Sequence, residues 1–329
     1  MRTLVKGNDH GVISVGLVDI DGVEDGRIRI VTHVHSDHTV GLSKSTNISE
    51  KIVATPLTLE WLPVLGHKLP RHKLLPLDYG EEVRVGDLKI TFYESVHIPG
   101  TAQVMIEFPD GITLAYTSDF KKPGEGTPIL SPDVLVIDAV YGRPNYVREF
   151  DDIIDTILAD AVRELLATGP VYLYGYHGKI QEVMEVLRRE GVDAPFILPY
   201  KQYQLARIAE RHGHRFGDYV LQGTDEAEDI IRDGWFIYFA HVNSKRRLNG
   251  VMGNHLILSG WEFSRPYKRI GRNKWLVAFS DHADFTGLLR YVEESRPKLL
   301  LVNLPRSTGG IEFAEYVRKK FGIEALLLP

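Results

Sequence analysis

Val31-Thr32-His33-Val34-His35-Ser36-Asp37-His38 sets three imidazoles and one carboxylate within six positions. His33 and His35 are two residues apart, so in an extended segment they project to the same side. Asp37 and His38 follow directly, where Thr39-Val40-Gly41-Leu42 can begin a short helix. Ahead of the turn, Ile28, Ile30 and Val31 are apolar and β-branched, which reads as a strand. A strand that ends in such a turn presents its polar groups at a sheet edge. Neutral imidazole and carboxylate are donors that Zn²⁺ and similar divalent ions accept. The density of His-x-His-x-Asp-His separates it from a polar loop that happens to contain histidine.

The remaining composition narrows the class. A chain of 329 residues has room for more than one domain. With 43% hydrophobic and 25% charged residues it reads as globular and soluble. No apolar run reaches the length of a membrane span, and Met1-Arg2-Thr3-Leu4 opens no apolar signal segment. A cytoplasmic protein without a membrane partner is therefore expected. The absence of cysteine excludes disulfides and thiolate ligands, and leaves any metal to His, Asp and Glu. The net charge of −5 argues weakly against a nucleic-acid binder. Two bound divalent ions would bring it to about −1, so net charge does not decide the partner.

Along the chain, residues 11–31 read as short strands, with Asp19-Ile20-Asp21-Gly22 as a turn. A helix starts near Pro56 and contains Leu57, Leu59 and Trp61. His67 and His72 read as exposed loop residues. His97 ends a strand in Ser95-Val96-His97-Ile98-Pro99-Gly100-Thr101-Ala102, where Gly100 permits a tight backbone return. Ile112–Tyr116 is a strand ending in Thr117-Ser118-Asp119-Phe120. The continuous apolar run Val134–Ile137 reads as a strand buried on both faces, with Asp138 at its end.

From Asp151 the apolar spacing becomes helical, and strands and helices alternate from Val171 to His212, which predicts a parallel sheet in a second module. Trp275–Phe285 reads as the chain returning to the first domain. The expected division is a first domain over 1–147, an inserted domain over 148–268 and a return segment over 269–329.

Three sets of residues carry a resemblance. His33, His35, Asp37 and His38, with His97 and Asp119, resemble the metal-binding pattern of the metallo-β-lactamase superfamily. Asp138-Ala139-Val140-Tyr141-Gly142 and Phe279-Ser280-Asp281-His282-Ala283-Asp284 resemble motifs A and B of its β-CASP nuclease family. The stretch between them matches the β-CASP domain in place and size.

The resemblance implies an α/β fold, an αββα sandwich with an inserted β-CASP domain. It implies one or two ions, Zn²⁺ with Mn²⁺ or Mg²⁺ as alternatives. His33, His35 and His97 would hold one side, Asp37 and His38 the other, with Asp119 bridging. Asp19 or Asp21 would match an early structural aspartate. Asp37 is expected to orient a metal-bound hydroxide, and His282, steered by Asp138, to protonate the leaving 3′-oxygen.

The implied function is a nuclease of DNA repair or processing, an exonuclease leaving 5′-phosphates. A ribonuclease of the same family in RNA processing and an inactive nucleic-acid-binding subunit are the alternatives. RNA-processing members carry a further metal-binding histidine on the strand after motif B. Here Leu300-Leu301-Val302-Asn303 puts Asn303 or Val302 in that place, as DNA-repair members of the Artemis type and their cross-link-repair relatives also lack it.

Gly175-Tyr176-His177-Gly178-Lys179, between a strand and a helix, reads as a phosphate cradle with Gly178 and Lys179 as binding residues. The turn with Ser307, Thr308, Gly309 and Gly310 is a second candidate anion site. Lys245-Arg246-Arg247 and the group Lys268, Arg269, Arg272, Lys274 read as solvated faces or as backbone-tracking patches. Tyr172, Tyr174 and Tyr176 share one face of a strand, where packing is the default over base stacking.

Overall fold

A computed structural model describes residues 5–329 apart from 247 and 249. Met1–Leu4 and Arg247, on which two of the expectations above partly rest, lie outside the described residues. The chain divides into two units, one of residues 1–147 with 282–329, the other of 148–281.

The first unit holds two sheets. Six strands in chain order, from Lys6–Gly7 to Leu74–Pro76, form one. The other has seven, ordered Glu324–Leu328, Leu299–Asn303, Val134–Ile137, Thr113–Tyr116, Ala102–Glu107, Leu88–Glu94 and Glu82–Val85. The two-residue period of a strand explains how they pack. Leu114, Tyr116, Val134, Val136, Leu299 and Leu301 enter one core with Ile13, Val15, Ile20, Ile30 and Val53 of the first sheet. The alternate residues Ala115, Leu135, Ile137, Leu300 and Val302 enter another with Phe285, Leu288, Phe313 and Val317. Those four belong to the helices Phe285–Ser295 and Gly310–Phe321. The middle strands are thus buried on both faces, which is why their sequence is continuously apolar.

The second unit is a seven-stranded sheet ordered Tyr219–Leu221, Phe196–Leu198, Ile237–His241, Val171–Gly175, Asn254–Leu258, Lys274–Val277 and Tyr267–Gly271. Its pairs are parallel except the last, a hairpin. This corrects the expected return at residue 269. Lys274–Val277 pairs in parallel with His255–Leu258, so the second unit runs to Asp281. An apolar run such as Trp275-Leu276-Val277 suits either sheet, and only its long-range partner decides. Lys268 and Arg269 lie on the edge strand of that hairpin, where charged side chains discourage edge-to-edge pairing. Lys268 pairs with Glu262. Tyr172 and Tyr174 are buried, while Tyr176, beyond the strand end, is exposed. No helix among the described residues is long and apolar enough to cross a membrane.

Candidate metal centre

The strand Ile28–Ile30 delivers the chain into the His33–His38 turn, which closes on a His38 N–H to His35 carbonyl bond of 3.1 Å. The two-residue spacing has the expected consequence. His33 Nε2 and His35 Nδ1 lie 3.2 Å apart, and His97 Nε2 is 3.1 Å from the same His35 nitrogen. Asp119 Oδ2 stands 3.5 Å from His33 Nε2 and 3.6 Å from His97 Nε2. Four donors on a tetrahedron with bonds of 2.0–2.1 Å are separated by about 3.4 Å. These spacings therefore fit the edges of such a tetrahedron, and the residues present fit a divalent ion of the Zn²⁺ kind.

A second group shares Asp119. His38 Nε2 is 3.3 Å from Asp37 Oδ2 and 3.3 Å from Asp119 Oδ2, and it makes no hydrogen bond among the described residues. The electrostatics agree with a cation site. Burial, with His38, His97 and His35 nearby, holds the His33 imidazole well below its usual pKa, in its neutral donor form. Burial and Arg306 work against protonation of His38, yet Asp37, Asp21 and Asp119 pull it well above its ordinary value. That pull is a demand for positive charge that a metal ion would answer.

Local structure fixes each donor. Gly100, at φ +85°, lets the chain turn back after His97. Its carbonyl accepts from Thr55 Oγ1 at 2.7 Å and Thr58 Oγ1 at 3.0 Å. A Cβ there would come within 2.9 Å of Thr58 Oγ1. Ser118, left-handed at φ 54°, precedes Asp119 and donates to Thr32 Oγ1 at 2.8 Å. A non-glycine residue in that region is uncommon and concentrates at functional sites.

The choice between Asp19 and Asp21 is resolved by their partners. Asp19 ties a turn, accepting from Ser14 Oγ, Glu24 N and Gly26 N. Asp21, fully buried, bonds His38 Nδ1 at 2.7 Å and accepts from Thr32 N at 2.8 Å. It therefore stands behind a candidate ligand and fixes the ring's tautomer.

Asp138 differs from expectation. Its oxygens accept from Tyr116 Oη and, at 2.8 Å, from Asn303 Nδ2, rather than from His282. The group beside His282 is Asp119, whose Oδ1 lies 3.5 Å from His282 Nδ1. Asn303 is not placed as a ligand either. It donates to Asp138 and to the Gly11 carbonyl at 3.3 Å, while Val302 faces the helix-side core. Asp284 of the motif B stretch caps the following helix, accepting from Gly287 N at 2.9 Å.

The Gly178–Lys179 cradle is also corrected. Lys179 does open a helix, but its ammonium is buried and 2.9 Å from Asp281 Oδ1. The Gly178 N–H donates to Gln181 Oε1 at 2.9 Å. The chain's own groups occupy both features that pointed to an anion.

Sequence reading missed Arg306 and Arg29. The Arg306 side chain is 4% exposed and bonds Asp37 Oδ2 at 3.2 Å. Arg29, fully buried, donates to the His38 carbonyl at 2.8 Å. A charged residue between Ile28 and Ile30 was the available signal for Arg29. Nothing local marks Arg306. A cavity of about 290 Å³ is lined by His35, Asp37, Asp119 and His282 together with Arg306, Ser307 and Thr308.

Burial pushes the Asp138 carboxyl up to about 7. In metal-stripped protein the folded state then keeps a proton that the unfolded chain, with a pKa near 3.9, has released. Stability should fall as pH rises from about 4 to about 7, by at most about 1.4 kcal/mol per unit, and then level. Asp138→Asn should remove this contribution. Melting temperatures of both proteins against pH should diverge across that window, and parallel curves would show that Asp138 does not titrate there.

No family model matches the chain. It is 42% identical over 137 residues to an uncharacterized protein in the lig 3′ region of Acidianus ambivalens, an alignment covering 42% of the chain and 98% of that protein. It is 26% identical over 194 residues to RNase aCSPSF2 of Saccharolobus solfataricus, covering 50% of the chain. It is 22% identical over 318 residues to DNA cross-link repair protein SNM1 of Arabidopsis thaliana, covering 88% of the chain. The chain spans only 39% and 64% of the lengths of the last two. With two sheets packed between helices, a donor cluster at one end of strands and a parallel-sheet insertion, the chain belongs to the β-CASP nuclease family of the metallo-β-lactamase superfamily.

Proposed function

We propose that the chain is a metal-dependent nuclease that hydrolyses DNA phosphodiester bonds from an end and leaves 5′-phosphates. The observation that carries this is the tetrahedral spacing of His33, His35, His97 and Asp119, with His282 against the other oxygen of Asp119. A divalent ion there supplies a water nucleophile at neutral pH and neutralises charge building on the phosphoryl oxygens.

The chain's own residues do the rest. Asp37 faces the cavity and orients the attacking water. Asp119 Oδ1 lies 3.5 Å from His282 Nδ1 and orients the ring, which delivers a proton to the departing 3′-oxygen. DNA is favoured because the alignment to the DNA cross-link repair protein runs along 88% of the chain, against 50% for the ribonuclease.

The second unit also suits a polyanion with stackable bases. Beyond the C-terminal ends of its parallel strands lie Tyr176, Tyr200 and Trp261, which are 53%, 67% and 55% exposed, with Lys201 and Lys245. Of the carboxylates there, Glu262 and Asp281 are paired with Lys268 and Lys179, while Asp225 and Glu226 are exposed. The loops entering the opposite ends carry Glu190, Asp193, Asp218 and Asp233. Exposed aromatic rings interleaved with cations are how single strands are gripped without sequence preference.

The test is incubation of metal-reconstituted protein with matched 5′-labelled and 3′-labelled DNA and RNA, followed by product sizing. Progressive loss of mononucleotides from DNA is the expected result. Cleavage of RNA alone would move the chain to the ribonuclease reading.

A further inference from the structure

The side chain of Arg306 is 4% exposed and brings positive charge to the carboxylate of a candidate ligand, Asp37. Its guanidinium reaches four acceptors. Nη1 bonds Asp37 Oδ2 at 3.2 Å, and Nη2 bonds the Asp37 carbonyl at 2.8 Å and the Asp21 carbonyl at 3.2 Å. Nε bonds the Gly11 carbonyl at 3.2 Å. Three turns are thereby tied to one cation, and two of them carry Asp37 and Asp21. The approach depends on a glycine. At Gly11, in left-handed conformation, a Cβ would lie 2.6 Å from Arg306 Nε.

The position matters because of which oxygen is taken. Asp37 Oδ2, 3.2 Å from Arg306 Nη1, is the same atom that stands 3.3 Å from His38 Nε2. Asp37 would offer a carboxylate oxygen to a second ion. An arginine stays charged throughout the accessible pH range, so its charge cannot be released to admit a metal. The Asn303 amide nitrogen is held by Asp138 Oδ1 and the Gly11 carbonyl.

We infer that Arg306 is a positioning residue that takes the second cation's part at Asp37, so that the centre holds one ion tightly and a second only weakly. The guanidinium orients Asp37 and balances its charge, while His33, His35, His97 and Asp119 would carry the ion. This rests on the metal-dependent reading above.

The experiment is titration of metal-stripped full-length protein with Zn²⁺ and with Mn²⁺, read by calorimetry and by elemental analysis after desalting. Wild type should keep one ion, with the second at least about 100-fold weaker, the order expected for like charges a few ångströms apart. Arg306→Gln should tighten the second ion by at least about tenfold. Arg306→Lys, which keeps the charge but loses the fork, should retain the wild-type pattern. A purely architectural arginine would instead fail equally in both variants.

If Arg306→Gln does not fold, the wild-type titration still decides. Gly11→Ala, which pushes the guanidinium aside, then serves as the second variant. Two ions of affinity within about tenfold in wild type, or an unchanged second affinity in Arg306→Gln, would overturn the inference. Binding of no ion at all would instead overturn the metal-dependent reading itself.

Discussion

Protein carrying His33→Ala with His35→Ala is expected to retain no transition metal and to lose nuclease activity by on the order of 10³-fold or more. Removing a single charge-stabilising donor from an active site typically costs about 10²–10³-fold, and here the whole cation goes. The two imidazoles supply half of the tetrahedral set, and the remaining pair, His97 and Asp119, lies 3.6 Å apart and leaves two positions open. The loss should also be visible without substrate. A ligand that binds only the folded state adds about 2.7 kcal/mol at a hundred times its dissociation constant. Wild-type protein should therefore melt several degrees higher with Zn²⁺ than without, and the double variant should show no such rise. Comparing the two proteins in chelator separates this from the packing lost with a buried ring. Full activity in the double variant, or in wild type after exhaustive chelation, would defeat the metal-dependent reading.

The parts of this centre that could be read from sequence are those whose geometry is local. His33 and His35 meet because a strand-like segment projects alternate residues to one side. His97 and Asp119 each close an apolar strand with a polar turn, and the resemblance to the superfamily's metal-binding pattern singled them out. The same logic does not reach residues whose role depends on distant partners. Lys179 and Asp281 pair across more than a hundred positions, so a buried ion pair was read as an open phosphate site. Asp138 looked like a partner for His282, but the register of adjacent strands delivers Tyr116 and Asn303 to it instead. Asp19 and Asp21 are equivalent as turn residues, and only the buried His38 ring distinguishes them. The inserted sheet was visible as alternating strand and helix. Its end was not, because Trp275-Leu276-Val277 carries no mark of which sheet it joins. Arg306 left no trace in any pattern, since one arginine after a proline in a turn is ordinary until its four acceptors are known.

His282→Ala should leave metal content and DNA binding near wild type while turnover falls by about 10²–10⁴-fold, the usual contribution of a positioned general acid. The ring is held rather than free to swing. It packs at 4.8 Å from the His97 ring and 6.0 Å from Tyr141, with Nδ1 beside Asp119 Oδ1. Its side chain is nevertheless 20% exposed and borders the cavity. A packing role and an acid role predict different chemistry. An alkoxide leaving as the 3′-oxygen needs a proton in the transition state, whereas a nitrophenolate does not. The variant should therefore cleave a nitrophenyl phosphodiester at nearly the wild-type rate and fail only on DNA. Equal losses on both substrates, with metal retained, would show that the ring shapes the centre without donating the proton. The charge on Asp119 would then act on the metal side alone.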